Sequence, residues 1–295
     1  SSVVGDRAEP PGAEGRLCCR SVDDGSLVWE RDLKAEYGVE SPIWGFSAAP
    51  VVDGNRLYVM VGGEGHAVVG LDRMTGTELW RALSAPHAGY SPPTVIQAGG
   101  KRQLIVWHPN AINGLHPESG EVYWSIDLKP DYGMSIMLPR HSGGMLFASG
   151  IGNVGAALKL AEDKPAAEVV WKGTSTSAVY CANSTPLIID GVIYGCDCRS
   201  GSLIAAKLES GERLWETRQP TIGEGERRAP YGTAFLVRNG ERFFLASETG
   251  ELILARLTPE KYEELGRIRL VEPTNECFGR AVVWSHPAFA EKSVF

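Results

Sequence analysis

The feature that most constrains this chain is a short ending that recurs along it. Asp24-Gly25-Ser-Leu-Val-Trp29, Thr75-Gly76-Thr-Glu-Leu-Trp80, Ser119-Gly120-Glu-Val-Tyr-Trp124 and Ser210-Gly211-Glu-Arg-Leu-Trp215 each place a tryptophan four residues after a glycine. Ala167-Glu168-Val169-Val170-Trp171 keeps the tryptophan and loses the glycine. Tyr262-Glu263-Glu264-Leu265-Gly266 keeps neither and aligns by its flanking apolar runs. Successive endings lie 51, 44, 47, 44 and 51 residues apart. A period of this length marks a chain built of repeated supersecondary units.

Each ending is preceded by paired apolar runs joined by a tight turn. Pro50-Val-Val-Asp53-Gly54-Asn55-Arg-Leu-Tyr-Val59 matches Pro186-Leu-Ile-Ile-Asp190-Gly191-Val-Ile-Tyr194. Pro93 to Trp107 is the same unit around Gly99-Gly100. Such turns need positive φ, so these are β-hairpin signals. A third run (Ala67–Leu71) and a fourth (Glu78–Leu83) follow, so each unit is four short antiparallel strands in about 45 residues. Glycine supports this: 35 of 295 residues, with 18 prolines, make a chain of turns and exclude long helices. Four-stranded units at this period predict an all-β fold, a β-propeller of four-stranded antiparallel blades. Trp29, Trp80, Trp124, Trp171 and Trp215 are expected to dock neighbouring blades, each burying a large ring.

The expected blades are approximately 1–33, 47–83, 91–128, 135–172, 182–217 and 230–270, with a partial unit at 281–295, in one domain over 1–295. Pro10 and Pro11 exclude a central strand where the first unit needs one, so a strand is expected to be missing near residue 8. The expectation is therefore a seven- or eight-bladed propeller with incomplete closure in this chain.

Other classes are excluded by composition. Apolar residues are 43% and charged residues 22%, which fits a folded protein rather than a disordered one. Net charge is −7 and no Lys/Arg run exceeds Arg227-Arg228, so nucleic acid is not an expected partner. No apolar stretch approaches the ~18 residues of a membrane helix, so no membrane span is expected. The first residues lack the basic and apolar regions of a signal peptide; a periplasmic or extracellular location is expected if one precedes them.

The tryptophan is never followed by Asp, and the Gly-His opening of WD40 units is absent, so the chain is WD40-like in architecture only. Kelch repeats would pair glycines on the second strand of every blade, and only Gly62-Gly63 comes close. Gly70-Leu-Asp72-Arg-Met-Thr75-Gly76-Thr-Glu-Leu-Trp80 and its cousins instead resemble the PQQ-like (quinoprotein alcohol dehydrogenase-like) propeller repeat of bacterial exported proteins. The outer-membrane assembly lipoprotein of the same fold is expected as a more distant cousin. The resemblance covers nearly the whole chain, but function sits in sites and not in the repeat.

The dehydrogenases of this fold hold pyrroloquinoline quinone and Ca²⁺ under a disulfide of adjacent cysteines. Cys18-Cys19 is an adjacent pair, but a strand sends neighbours to opposite faces, so it reads as two small strand residues. Cys196-Asp-Cys198 reads as alternating in a strand with Cys181 nearby, one cysteine pair without the second that zinc requires. Gly150-Ile-Gly152-Asn-Val-Gly155 lies between strands with no following helix, so it is a turn and not a dinucleotide loop. No catalytic residue, metal ligand set or cofactor is expected, with quinone and calcium as the alternative.

The residues before each inner strand are expected to ring the propeller's top face and channel. There aromatics, small residues and hydroxyl or amide groups recur. Candidate ligand-binding residues are Trp44, Phe46, Tyr90, Tyr132, Tyr180, Asn183, Tyr231, Trp284 and His286. The competing reading is that these aromatics fill the channel and brace the loops. The expected function is a non-catalytic binding or scaffold propeller presenting this face to a protein, peptide or glycan. The alternatives are a quinoprotein-type oxidoreductase and a subunit of an outer-membrane assembly-type envelope complex.

Overall fold

The computed structural model describes residues 2–5, 7–9, 12–223 and 228–295. Six four-stranded sheets lie among the described residues, each an antiparallel meander in chain order. The first is β1 (Ser2–Val4), β2 (Arg7–Glu9), β3 (Arg16–Ser21) and β4 (Leu27–Asp32), followed by a one-turn helix α1 (Leu33–Tyr37). The second is β5 (Val51–Asp53), β6 (Arg56–Met60), β7 (Val68–Asp72) and β8 (Glu78–Ala82). The third is β9 (Thr94–Ala98), β10 (Lys101–Trp107), β11 (Ala111–Leu115) and β12 (Val122–Asp127). The fourth is β13 (Arg140–Ser142), β14 (Met145–Gly150), β15 (Val154–Leu160) and β16 (Ala167–Lys172). The fifth is β17 (Leu187–Ile189), β18 (Val192–Cys196), β19 (Leu203–Lys207) and β20 (Arg213–Thr217). The sixth is β21 (Ala234–Asn239), β22 (Arg242–Ser247), β23 (Glu251–Leu257) and β24 (Tyr262–Arg269). The tail forms two hairpins, β25 (Asn275–Cys277) with β26 (Arg280–Val282) and β27 (Phe289–Ala290) with β28 (Ser293–Val294).

The strand expected to be missing near residue 8 is present. Strand β2 pairs with β1 through Ala8–Val3 and with β3 through Ala8–Arg20. Three residues suffice for it, and it ends before the prolines, which limit its length rather than forbid it. Pro10 and Pro11 themselves lie outside the described residues.

The chain divides into two compact units: residues up to Pro139 with Leu158–Val169, and Arg140–Ala157 with Val170–Phe295. Each has its own apolar core. In the first, Leu57, Val59, Val68, Leu71, Leu104 and Leu115 are central. In the second, Tyr194, Leu203, Leu245 and Ile253 are. Strands β11 and β18 are buried along their whole length; β18 reads as a continuous apolar run, while β11 carries the buried Asn113, whose Nδ2 donates to Val106 O at 3.1 Å.

The recurrent ending has a local physical cause. Asp72 Oδ1 accepts hydrogen bonds from the Met74 and Thr75 amides at 2.9 Å, closing a turn that points the Arg73 carbonyl at the preceding sheet. Trp29 Nε1 donates to that carbonyl at 2.8 Å. Gly76 (φ +73°) ends the turn against the same indole, where a Cβ would sit 2.8 Å from the ring. Trp80 donates to Pro117 O (3.0 Å), Trp171 to Leu208 O (2.8 Å) and Trp215 to Thr258 O (2.8 Å), each in the following sheet. Trp124 instead donates to Gln103 Oε1 of its own sheet at 2.8 Å.

Strand register supplies the second half of the cause. Trp29, Trp80, Trp124 and Trp215 pair with Cys19, Gly70, Gly114 and Ala205, all small, each beside a β-bulge. The small partner leaves room for the indole to lie across its own sheet. In the sixth sheet the register position belongs to Gly266, and its partner is Leu254. Where the large ring is lost from the outer strand, the neighbouring strand carries the bulk.

Candidate functional site

Three loops of the first unit are tied into one base. In Pro42–Phe46, the Gly45 amide donates to Pro42 O (2.8 Å) and the Phe46 amide to Ala13 O (2.8 Å). Gly45 packs on Ala13 where a Cβ would lie 2.8 Å from the carbonyl oxygen, so the turn has one conformation. The Tyr90 amide donates to Ser135 O (2.8 Å) and Ser91 Oγ to Met137 O (2.9 Å), joining the second loop to the third. Burial pushes the Tyr90 phenol's pKa up, opposed by a hydrogen bond from the Trp44 backbone that joins the second loop to the first.

The side chains divide sharply on this base. Phe46 and Tyr90 are buried, as is Ser91. Ile43, Trp44 and Tyr132 are 84%, 67% and 82% exposed. Tyr132 also holds a left-handed backbone (φ 59°), which costs a non-glycine residue about 1 kcal/mol and is sustained by the surrounding contacts. The Gly133 amide on Pro130 O (3.1 Å) and the Met134 amide on Asp131 O (3.2 Å) supply them.

The second unit repeats the pattern with more polar support. Tyr231 (φ 62°) and Phe278 (φ 51°) are again left-handed aromatics. Their rings stack at 5.0 Å and 21°, and Trp284 lies 6.3 Å from Phe278. Asn183 Nδ2 donates to the Tyr231 carbonyl at 3.0 Å. Beneath, the buried Glu248 carboxylate accepts from Arg280 Nε (2.7 Å), Trp284 Nε1 (2.8 Å) and the Thr233 amide (3.2 Å). That bracket fixes the indole while Phe278 stays 62% exposed. His286 is exposed and sets its ring edge-on to Phe235 at 5.3 Å. Tyr180 is fully buried, its hydroxyl donating to Thr174 O at 2.5 Å.

Of the nine candidate residues, the structure therefore presents Trp44 and Tyr132 to solvent in the first unit. In the second it gathers Asn183, Tyr231 and Trp284 around one aromatic stack. Phe46, Tyr90 and Tyr180 are footing. Sequence reasoning passed over Ile43, Phe278, Glu248 and Arg280. A turn between Pro42 and Gly45 marks Ile43 as a loop tip, but Glu248 becomes a bracket only through contacts distant in sequence. Arg227 lies outside the described residues.

The cysteines are placed differently from the strand reading. Strand β18 ends at Cys196, and Asp197 opens a turn by accepting from the Arg199 and Ser200 amides at 3.0 and 3.1 Å. Cys196 and Cys198 therefore do not alternate on one strand face. The Cys196 thiol is engaged by the Ala234 amide (3.2 Å), and burial pushes it up to about 12. Burial likewise holds Cys198 at about 12 and Cys181 well above the usual thiol range.

The family model described as outer membrane protein assembly factor BamB matches residues 2–217 and, in a second placement, 64–268. The chain belongs to this family of PQQ-like repeat proteins. The relative expected to be the more distant one thus supplies the matching model. BamB from Moraxella catarrhalis is similar over 90% of this chain and 74% of its own, at 16% identity and TM-score 0.65. A europium-containing methanol dehydrogenase is similar over 92% of this chain and 68% of its own, at 14% identity and TM-score 0.58. The WD40 repeats of RRP9 are similar over 90% and 78%, at 12% identity and TM-score 0.56. At these identities the likeness shows the fold, an all-β propeller of four-stranded antiparallel sheets. No curated protein matches the sequence.

Cys18 and Cys19 lie on β3 opposite Glu30 and Trp29, with a β-bulge following Cys19. Cys19 is fully buried and Cys18 partly exposed, and no disulfide joins the two. Among the described residues no three His, Cys, Asp or Glu side chains converge as metal ligands. No described helix is long and apolar enough to cross a membrane.

Proposed function

We propose that this chain is a non-catalytic binding propeller of the bacterial envelope whose loops dock a polypeptide partner, in the manner of an assembly-complex subunit. One observation carries the reading: large aromatics stand exposed on loops that hydrogen bonds and costly left-handed backbone hold still. Interface anchors are enriched in Trp and Tyr, and binding gains most from anchors whose ordering cost is already met by the fold. Loops on a rigid scaffold are where propellers carry recognition. The envelope location and the protein partner rest on membership of the assembly-factor family.

The test is retention of envelope proteins by the immobilised chain. Trp44→Ala with Tyr132→Ser is expected to lose a partner that wild type retains, at unchanged melting temperature. Pyrroloquinoline quinone with Ca²⁺ is expected to leave the melting temperature unmoved. A thermal shift with dye reduction would replace this reading by the oxidoreductase one.

A further inference from the structure

A second surface feature of the other unit has different chemistry. Ser175, Asp197, Arg199, Ser200, Ser202, Arg213, Glu216, Arg218 and Arg228 line a cleft of about 300 Å³. That volume suits a small ligand or one head group. Among the described residues four guanidinium groups face two carboxylates, so the described lining carries two net positive charges on a chain whose net charge is −7.

The charges are unevenly committed. Asp197 is buried, and its carboxylate takes the Arg199 and Ser200 amides on one oxygen and Arg213 Nη2 (3.2 Å) on the other. Glu216 lies 3.6 Å from Arg213 as well, and is exposed. The remaining arginines have no carboxylate partner among the described residues. Arg199 Nη1 donates to Asn153 Oδ1 (2.5 Å) and Arg228 Nη2 to the Arg199 carbonyl (3.0 Å), both neutral acceptors. The Arg218 guanidinium has no hydrogen-bond partner among the described residues; its backbone carbonyl instead closes the Thr221–Gly223 turn. A forked donor without an anion beside a cleft walled by serine hydroxyls is arranged for an oxyanion.

We infer that this cleft binds a phosphate monoester dianion. Two net charges match a dianion better than a single carboxylate, and Arg199, Arg218 and Arg228 offer forked donors without an anionic partner among the described residues. Arg213 holds Asp197 in place and is a positioning residue.

Isothermal titration of the intact chain with inorganic phosphate and with glycerol 3-phosphate, at low ionic strength and a pH where both are dianions, tests this. One saturable site per chain is expected. Arg218→Gln and Arg228→Gln should each weaken it about tenfold or more, the loss of one charge-assisted contact. Glu216→Gln should tighten it, and added salt should weaken it. Acetate should bind at least about tenfold more weakly than phosphate. Arg228 is exposed, so its variant keeps the test open if Arg218→Gln fails to fold. No saturable phosphate binding, unchanged affinity in Arg228→Gln, or acetate binding as tight as phosphate overturns the inference. Retention on phosphatidylcholine vesicles containing phosphatidic acid, lost in the same variant, places the phosphate on a lipid. Binding of glycerol 3-phosphate without vesicle retention places it on a soluble ester.

Discussion

The pairing of a large ring with a small cross-strand partner makes a quantitative double-mutant prediction. Trp80 is 8% exposed, and a Cβ on its partner Gly70 would lie 2.4 Å from the indole Cε2. Gly70→Ala alone therefore overpacks the site and should cost about 1–3 kcal/mol. Trp80→Ala removes the ring from between Gly70 and Gly120 and should cost about 3–5 kcal/mol. In the double variant the added methyl enters the space the ring has left. The second substitution should then be neutral or slightly stabilising, since alanine orders at lower entropic cost than glycine. The coupling between the two positions is thus about 1–3 kcal/mol, well outside the ~0.5 kcal/mol of independent sites. Trp80→Phe should cost only about 1 kcal/mol beyond its lost area, because the Pro117 carbonyl keeps the Tyr58 hydroxyl at 3.1 Å. Urea unfolding followed by fluorescence and circular dichroism measures all four. Additive effects of Gly70→Ala and Trp80→Ala would refute the size-complementarity account of the repeat.

Further outcomes follow from buried groups. Glu248→Gln weakens the hydrogen bonds that Arg280, Trp284 and Thr233 make to a buried carboxylate and should cost about 2–4 kcal/mol, with a shifted Trp284 emission, read by urea unfolding. His108 is buried, and desolvation holds its imidazole down to about 4. The unfolded chain therefore binds the extra proton first. Stability should be full above pH ~6.5 and fall by about 3 kcal/mol toward pH ~4, a loss that His108→Asn reduces in a pH series of melts. Cys181, Cys196 and Cys198, with their thiols buried and pushed up, should resist iodoacetamide in the native chain. Partly exposed Cys18 and Cys277 should label first, as peptide mass spectrometry reads directly.

What the sequence made legible was what repeats. The Gly-x-x-x-Trp ending encodes a turn and a bulge, both local events, and an indole that at Trp29, Trp80 and Trp215 docks on the next sheet. Even Gly266, with no tryptophan to mark it, occupies the register position that spacing assigns it. The strand at Arg7–Glu9 escaped because proline was weighed as a veto on a strand rather than a limit on its length. The turn at Asp197 escaped because two cysteines at alternate positions mimic a strand face. At the loops, sequence located the aromatics without separating anchors from footing. Tyr90 and Tyr132 occupy comparable positions and share a chemistry. One is buried by hydrogen bonds to two other loops, and the other is lifted out by a left-handed backbone. Those differences arise from contacts between repeats, which no single repeat carries.

The central claim is that exposed aromatics on fixed loops dock a polypeptide. Its most direct test is photo-crosslinking in intact bacterial envelopes from a benzophenone amino acid at position 44 or 132. Position 170, on exposed outer strand β16, serves as the control. The account predicts one shared protein adduct from 44 and 132 that position 170 does not give. Adducts equal at all three positions, or none from 44 and 132, would contradict it.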